Sequence, residues 1–258
     1  MKLFLSLLIA TLFGFSLGYL PSTKGAKVQP GIHPEKEYAI SKLNSFAIVL
    51  IAHNDALWCE QALGSLFAQD YDHFRLLFID DGSQDDTYEK VQEFVLANKE
   101  EHRVILMRNE KELGAAASLS RLASHCLNHE IVLPLSARDW LTSPDVLSSL
   151  NHTFQNPDVW IVCGKTLNYP SYDFLPLPEW NLKKIEKKGY SDYQGLRAFY
   201  GALLKQLPQP TTLAKDFSLI PLLELSGGRV KNLPEPLSFH NIVLPVPGPS
   251  QVINSDIK

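Results

Sequence analysis

The sequence predicts an α/β fold: a mostly parallel sheet flanked by helices. Three observations predict it. Short apolar runs rich in β-branched residues recur along the chain, each is followed by a stretch with apolar residues at helical spacing, and Asp, Asn, Gly and Ser cluster at the turns between them. Strands alternating with helices in this way are joined as parallel neighbours by crossover helices.

The first strand is Phe46 to Ile51 (FAIVLI), apolar on both faces as a central strand must be. After the polar turn His53-Asn54-Asp55, the positions Trp58, Ala62, Leu66 and Phe67 lie on one helical face, with Asn54 or Asp55 placed to cap the helix start. Phe74 to Ile79 is the second strand and ends at Asp80-Asp81-Gly82-Ser83. Asp85-Asp86-Thr87 then reads as a turn and cap leading into a helix with Tyr88, Val91 and Val95 on its inner face. Arg103 to Met107 gives the third strand, Ala115 to Leu127 a helix after Gly114, and Glu130 to Leu135 the fourth strand, followed by Ser136-Ala137-Arg138-Asp139. Further on, Leu196, Phe199, Leu203 and Leu204 pattern as a helix packed on the sheet.

Composition sets the outer bounds. With 258 residues, 45% hydrophobic and 20% charged, the chain can bury a sizeable core and is not a disordered segment. A formal charge of -4 argues against nucleic acid as a partner, because backbone phosphates are met by clustered positive charge. Cys59, Cys126 and Cys163, odd in number and widely spaced, read as core residues and not as a disulfide or metal framework. Residues 3–20 form an apolar run behind Lys2, which is the pattern of a signal peptide or a membrane anchor. Ser16 and Gly18 are small residues suited to cleavage after Gly18, whereas the length of the run reaches the lower range of a spanning helix, so both readings stand. Residues 21–43, rich in Pro, Gly, Lys and Glu, read as a linker; the folded domain spans 44–245 and a tail 246–258.

In open α/β sheets a ligand sits outside the carboxyl ends of the strands. Those ends here carry His53, Asn54 and Asp55, then Asp80 and Asp81, then Asp139. Carboxylates at such places accept hydrogen bonds from ribose or base, or hold a hard divalent cation beside a diphosphate.

The stretch from Phe46 to Leu150 resembles the inverting glycosyltransferases of family 2, which have the GT-A (Rossmann-like) fold. The resemblance is carried by four motifs in order: FAIVLIAHND, the DDGS signature within LLFIDDGSQDDT, VILMRNEKELGAAAS with its glycine turn, and EIVLPLSARDWL in the place of the family's Asp-x-Asp segment. It implies transfer of a sugar from a UDP- or GDP-linked nucleotide sugar to an envelope saccharide or lipid acceptor, with residues 44–150 as the nucleotide-binding half and 151–245 as the acceptor half. It also implies nucleotide contacts by His53, Asp80, Asp81 and Arg138, with Asp139 as ligand to a Mg²⁺ or Mn²⁺ cofactor. Two departures stand out. The family's acidic segment reads here Ser136-Ala137-Arg138-Asp139, with a cation in place of an acid, and Leu119 and Ser120 replace the arginine and asparagine common after the glycine turn.

In the acceptor half, Lys215-Asp216-Phe217, a helical run through Leu225 and a segment from Gly227 to Leu237 resemble the family's Glu-Asp helix, glycine break and closing strand, which makes Asp216 the implied general base. An inverting transfer needs a carboxylate there to take the acceptor hydroxyl's proton. His240, near the last strand, reads either as a diphosphate contact or as an ordinary histidine. Rings between Tyr169 and Tyr200 either stack on sugars or pack the sheet, and Lys183, Lys184, Lys187 and Lys188 form either a solvated face or a contact to anionic lipid. The altered acidic segment also supports a different class, a non-catalytic exported binding module on a degenerate GT-A scaffold. The expected location is therefore a membrane-anchored domain facing the cytoplasm, or an exported one after cleavage. If Asp81 binds the base, its replacement by alanine weakens nucleotide binding and leaves the thermal midpoint of the empty protein nearly unchanged.

Overall fold

The computed structural model describes residues 43–175, 177, 195–207 and 220–243. The apolar run at residues 3–20, the lysines 183–188 and Asp216 lie outside the described residues. Among the described residues, no helix is long and apolar enough to cross a membrane.

The predicted elements form almost where the periodicity places them. Strand β1 (Phe46–Ala52) is followed by helix α1 (Cys59–Phe67), β2 (Phe74–Asp80) by α2 (Thr87–Ala97), and β3 (Val104–Arg108) by α3 (Ala115–Ala123), before β4 (Ile131–Ser136). α3 is shorter than the apolar spacing predicts. Neither Asn54 nor Asp55 caps α1 with its side chain; the Asp55 carbonyl instead accepts the Trp58 and Cys59 N–H groups, and its carboxylate is used elsewhere.

β1 pairs in parallel with β2 on one side and β4 on the other, and β2 pairs in parallel with β3. β1 is buried along nearly its whole length, with Phe46 to Leu50 fully inaccessible, because helices cover both faces of a parallel sheet. The three cysteines are buried, as expected of core residues, and burial pushes the thiols of Cys59 and Cys126 up to about 11 and that of Cys163 up to about 12, which keeps them inert.

Beyond β4 the sheet departs from the parallel pattern. The segment read as a helix through Leu196, Phe199 and Leu204 instead makes strand β8 (Arg197–Tyr200), antiparallel to both β4 and β6 (Ile161–Tyr169), and only Gly201–Leu204 turns helical. Phe199 is fully buried in the sheet and Leu203 in the turn that follows, so the apolar residues keep their core role while the backbone between them changes. β9 (Val230–Asn241) follows the helix Ile220–Ser226, pairs in parallel with β6 through an irregularity around Lys165, and takes the short β5 (Trp140–Leu141) antiparallel at its far edge. The strand order is β3-β2-β1-β4-β8-β6-β9-β5, with the two-residue β7 (Phe174–Leu175) added on β6. The sheet is thus parallel in its first half and mixed in its second.

Trp160 is a core residue of the second half. It is fully buried, its indole N–H donates to the Pro157 carbonyl at 3.2 Å, and the Arg229 guanidinium lies over its ring at 4.3 Å. Trp160→Ala is expected to cost about 3–5 kcal/mol through the cavity it leaves, read as a lowered urea midpoint.

Candidate active site

The carboxyl ends of β1, β2 and β4 meet in one place because their turns are hydrogen-bonded to one another. Asp81 N–H donates to the Ala52 carbonyl, Ala137 N–H to the Ile51 carbonyl and Asn109 N–H to the Asp80 carbonyl, each at 2.8 Å, which carries the strand pairing past the last residue of each strand. The result is an open crevice of about 360 Å³ whose walls include His53, Asp55, Asp81, Glu112, Gly114 and Arg138. A second hollow of about 510 Å³ lies beside β3, but its cation, Arg108, is already paired with Asp80 and Glu89.

Asp81 stands at the back of the crevice, 3% exposed. One carboxylate oxygen accepts the Asn109 amide at 2.6 Å and the Leu113 N–H at 2.9 Å, and the other accepts the Gly114 N–H at 2.7 Å. Burial pushes this carboxyl upward, but the donors at Leu113, Asn109, Ser118 and Gly114 outweigh it and hold the group below the ordinary carboxylate range. Asp81 therefore pins the loop before α3 as well as facing the crevice. Asn109, the first residue past β3, was absent from the expected site, although the strand-end rule points to that position.

His53 lines the crevice. Its Nδ1 donates to the Asp81 carbonyl at 2.9 Å. The Gln84 N–H donates to Asn54 Oδ1 at 2.8 Å, which turns the Asn54 amide nitrogen toward His53 Nε2 at 3.0 Å and makes that nitrogen the acceptor. The ring tautomer and its orientation are thereby fixed by its neighbours.

Asp80 is placed differently from the sequence expectation. It is fully buried and does not line the crevice; one oxygen accepts the N–H and hydroxyl of Ser83, and the other is ion-paired with Arg108 Nε at 2.9 Å. Its carboxylate builds the turn that aims Asp81, so the tight turn takes one acid of the DDGS signature and leaves the other for the crevice. Asp85 is a turn residue as read, accepting from Thr87 and from the Ala56 N–H at 3.2 Å. Leu119, in the place of a familial arginine or asparagine, is a core residue.

Arg138 lines the crevice, and its Nε lies 3.2 Å from Asp55 Oδ1. Asp55 is 4% exposed and its other oxygen accepts the His53 N–H at 3.0 Å. Burial pushes the Asp55 carboxyl up, reinforced by Asp139 and Asp85, while the His53 N–H and Arg138 pull it down without cancelling the rise. This pairing across two strand ends has no signature in the sequence, since residues 55 and 138 are remote along the chain.

Asp139 does not stand free. Its Oδ1 accepts His240 Nδ1 at 3.1 Å and the Asn241 N–H at 3.0 Å, tying the end of β4 to β9. A divalent cation beside a diphosphate takes most of its oxygen ligands from the phosphates and from water, and one or two carboxylates from the protein. Among the described residues no group of three His, Cys, Asp or Glu side chains is disposed to hold a metal ion, and Asp55 is paired with the guanidinium of Arg138, the residue before Asp139. Among the described residues at this strand end, Asp139 is the carboxylate left to hold a Mg²⁺ or Mn²⁺ ion, and its Oδ1 already accepts from His240 and the Asn241 N–H.

A parallel α/β half with a polar crevice at its strand ends, continued by a mixed sheet, defines a GT-A-type scaffold. The chain belongs to glycosyl transferase family 2, whose family model matches residues 47–204. Among solved structures it is similar to Staphylococcus aureus TarS residues 1–349, at 17% identity and a TM-score of 0.61, over 76% of this chain and 60% of that one. TarS has also been solved with UDP-GlcNAc. A second similar structure is the mannosyltransferase PcManGT from Pyrobaculum calidifontis in complex with GDP-Man and Mn²⁺, at 18% identity and a TM-score of 0.57, over 84% of this chain and 61% of that one. The chain thus spans about three fifths of the length of these structures, and at such identities the likeness is one of fold. No curated protein matches the chain.

Proposed function

We propose that this chain transfers a sugar from a UDP- or GDP-linked donor to a saccharide or lipid acceptor with inversion at the anomeric carbon. The observation that carries the reading is the crevice at the ends of β1, β2 and β4, which presents His53, Asp81 and Arg138 together and lies within the residues matched by the family. The base would lie against His53 and Asp81, and the diphosphate would point toward the end of β4. In the reaction the acceptor oxygen forms a bond to the anomeric carbon while the bond from that carbon to the diphosphate oxygen breaks, its electron pair leaving with the nucleoside diphosphate. The acceptor's proton passes to a carboxylate, for which Asp216 is the candidate. Residues 3–20 are proposed to hold the domain at a membrane, close to a lipid-linked acceptor.

Titration of the chain with UDP and GDP tests the donor site directly; binding of neither nucleotide would overturn the reading. Asp216→Asn is expected to retain donor binding and to lower turnover by about 10²-fold or more, and undiminished turnover would remove it from the mechanism. The replacement of an acid by Arg138 favours a second reading, a non-catalytic binding module. That reading is selected if nucleotide binds but neither transfer nor donor hydrolysis occurs with any acceptor.

A further inference from the structure

We propose that Arg138 supplies the positive charge opposite the donor diphosphate, in the position where a divalent ion would otherwise stand. The inference rests on the nucleotide-sugar reading above and deepens it.

Arg138 is the second residue past β4 and lines the crevice, so its charge is delivered at the strand end where the diphosphate is expected. The acids that might gather a metal ion there are engaged. Asp139 is held by His240 and by the Asn241 N–H, and Asp55 is held by the His53 N–H and by Arg138 itself. An ion bound at Asp139 would share this strand end with the Arg138 guanidinium, and like charges repel.

The guanidinium is suited to the task. Its planar fork matches two phosphate oxygens at once, where a lysine would offer a single point charge. Its contact with Asp55 uses Nε alone, at 3.2 Å and without the geometry of a hydrogen bond. Among the described residues the N–H donors on its two Nη nitrogens make no hydrogen bond, so an anion can be added without first breaking one. Asp55 is in turn fixed by its surroundings: its own N–H donates to the Thr87 hydroxyl at 2.9 Å, and its carboxylate accepts from His53. Before the donor arrives, Asp55 keeps the half-buried cation paired; once the donor is bound, the diphosphate shares it.

The test is calorimetric titration of the full chain with UDP and with GDP, in EDTA and again with Mn²⁺. The wild-type chain is expected to bind one nucleotide in EDTA with an affinity within roughly threefold of that in Mn²⁺, the difference expected if the ion adds no charge-assisted contact. Arg138→Gln, which keeps length and a side-chain amide beside Asp55, is expected to lose roughly tenfold or more in EDTA, the loss of one charge-assisted pair. The inference is overturned if Mn²⁺ strengthens wild-type binding about tenfold or more, or if Arg138→Gln binds as wild type does in EDTA. Metal-dependent binding would overturn this inference alone and leave the nucleotide-sugar reading standing, whereas no binding in any condition would overturn both. If Arg138→Gln does not fold, the comparison of EDTA with Mn²⁺ on the wild-type chain decides.

Discussion

Replacing Asp81 with alanine is expected to lower the free energy of unfolding by about 3 kcal/mol and to weaken UDP or GDP binding in the same protein. The stability loss follows from what the carboxylate accepts. The Leu113 N–H, the Gly114 N–H and the Asn109 amide all point at it, and without it these donors face a space that is 3% exposed. The sequence expectation of an unchanged thermal midpoint is corrected here, because Asp81 is a buried anchor of the loop before α3 and not a surface contact. Asp81→Asn separates the contributions: it keeps the shape but turns one acceptor into a donor facing other donors, so it too is destabilising, by about 2 kcal/mol. The pH dependence has a definite sign. Asp81's carboxyl is held below its ordinary value in the folded chain, so its contribution is fully present above the unfolded value of about 4 and is lost as pH falls through the lower folded one. Urea unfolding of wild type and Asp81→Ala at neutral pH and near pH 3 checks this; the gap between them is expected to narrow in acid, and a constant gap would mean the carboxylate charge is not what stabilises.

Gly82→Ala is the second large effect. Gly82 has φ of +71°, in the left-handed region where a side chain costs about 1 kcal/mol or more. A Cβ there would also press into the Lys111–Glu112 backbone, standing 2.5 Å from the Glu112 nitrogen. Backbone cannot swing aside as a flexible side chain can, so the Lys111–Gly114 loop must move. Because Asp81 holds that same loop, the substitution is expected to cost about 3 kcal/mol in urea unfolding and to weaken nucleotide binding together with stability. Wild-type nucleotide affinity in a destabilised Gly82→Ala protein would show that the crevice does not depend on the loop's position.

Much of the nucleotide half was legible along the chain. β1, β2 and β4 are buried on both faces, so their sequences must be continuously apolar, and the helices between them must show one apolar face; both patterns are local and survive in a linear reading. The strand-end rule then singled out His53, Asn54, Asp55, Asp80, Asp81 and Asp139 without reference to contacts, Asp80 among them although it does not line the crevice. The acceptor half was not legible to the same degree. Phe199 and Leu203 are buried whether their backbone is strand or helix, and the choice of strand for Arg197–Tyr200 comes from the vacant hydrogen-bonding edges of β4 and β6 on either side of it.

By itself the sequence determined the order of elements, the parallel half of the sheet, and the acid-rich set of residues at its carboxyl edge. Only the tertiary structure decided what each of those acids does. Asp80 closes a turn against Ser83 and Arg108, Asp81 holds the loop before α3, Asp55 pairs with Arg138, and Asp139 is tied to His240. The physical reason is that a strand end fixes where a carboxylate begins, whereas its role depends on which donors lie within about 3 Å of its oxygens. Apart from Ser83, those donors come from residues dozens of positions away that only the folded sheet brings within reach.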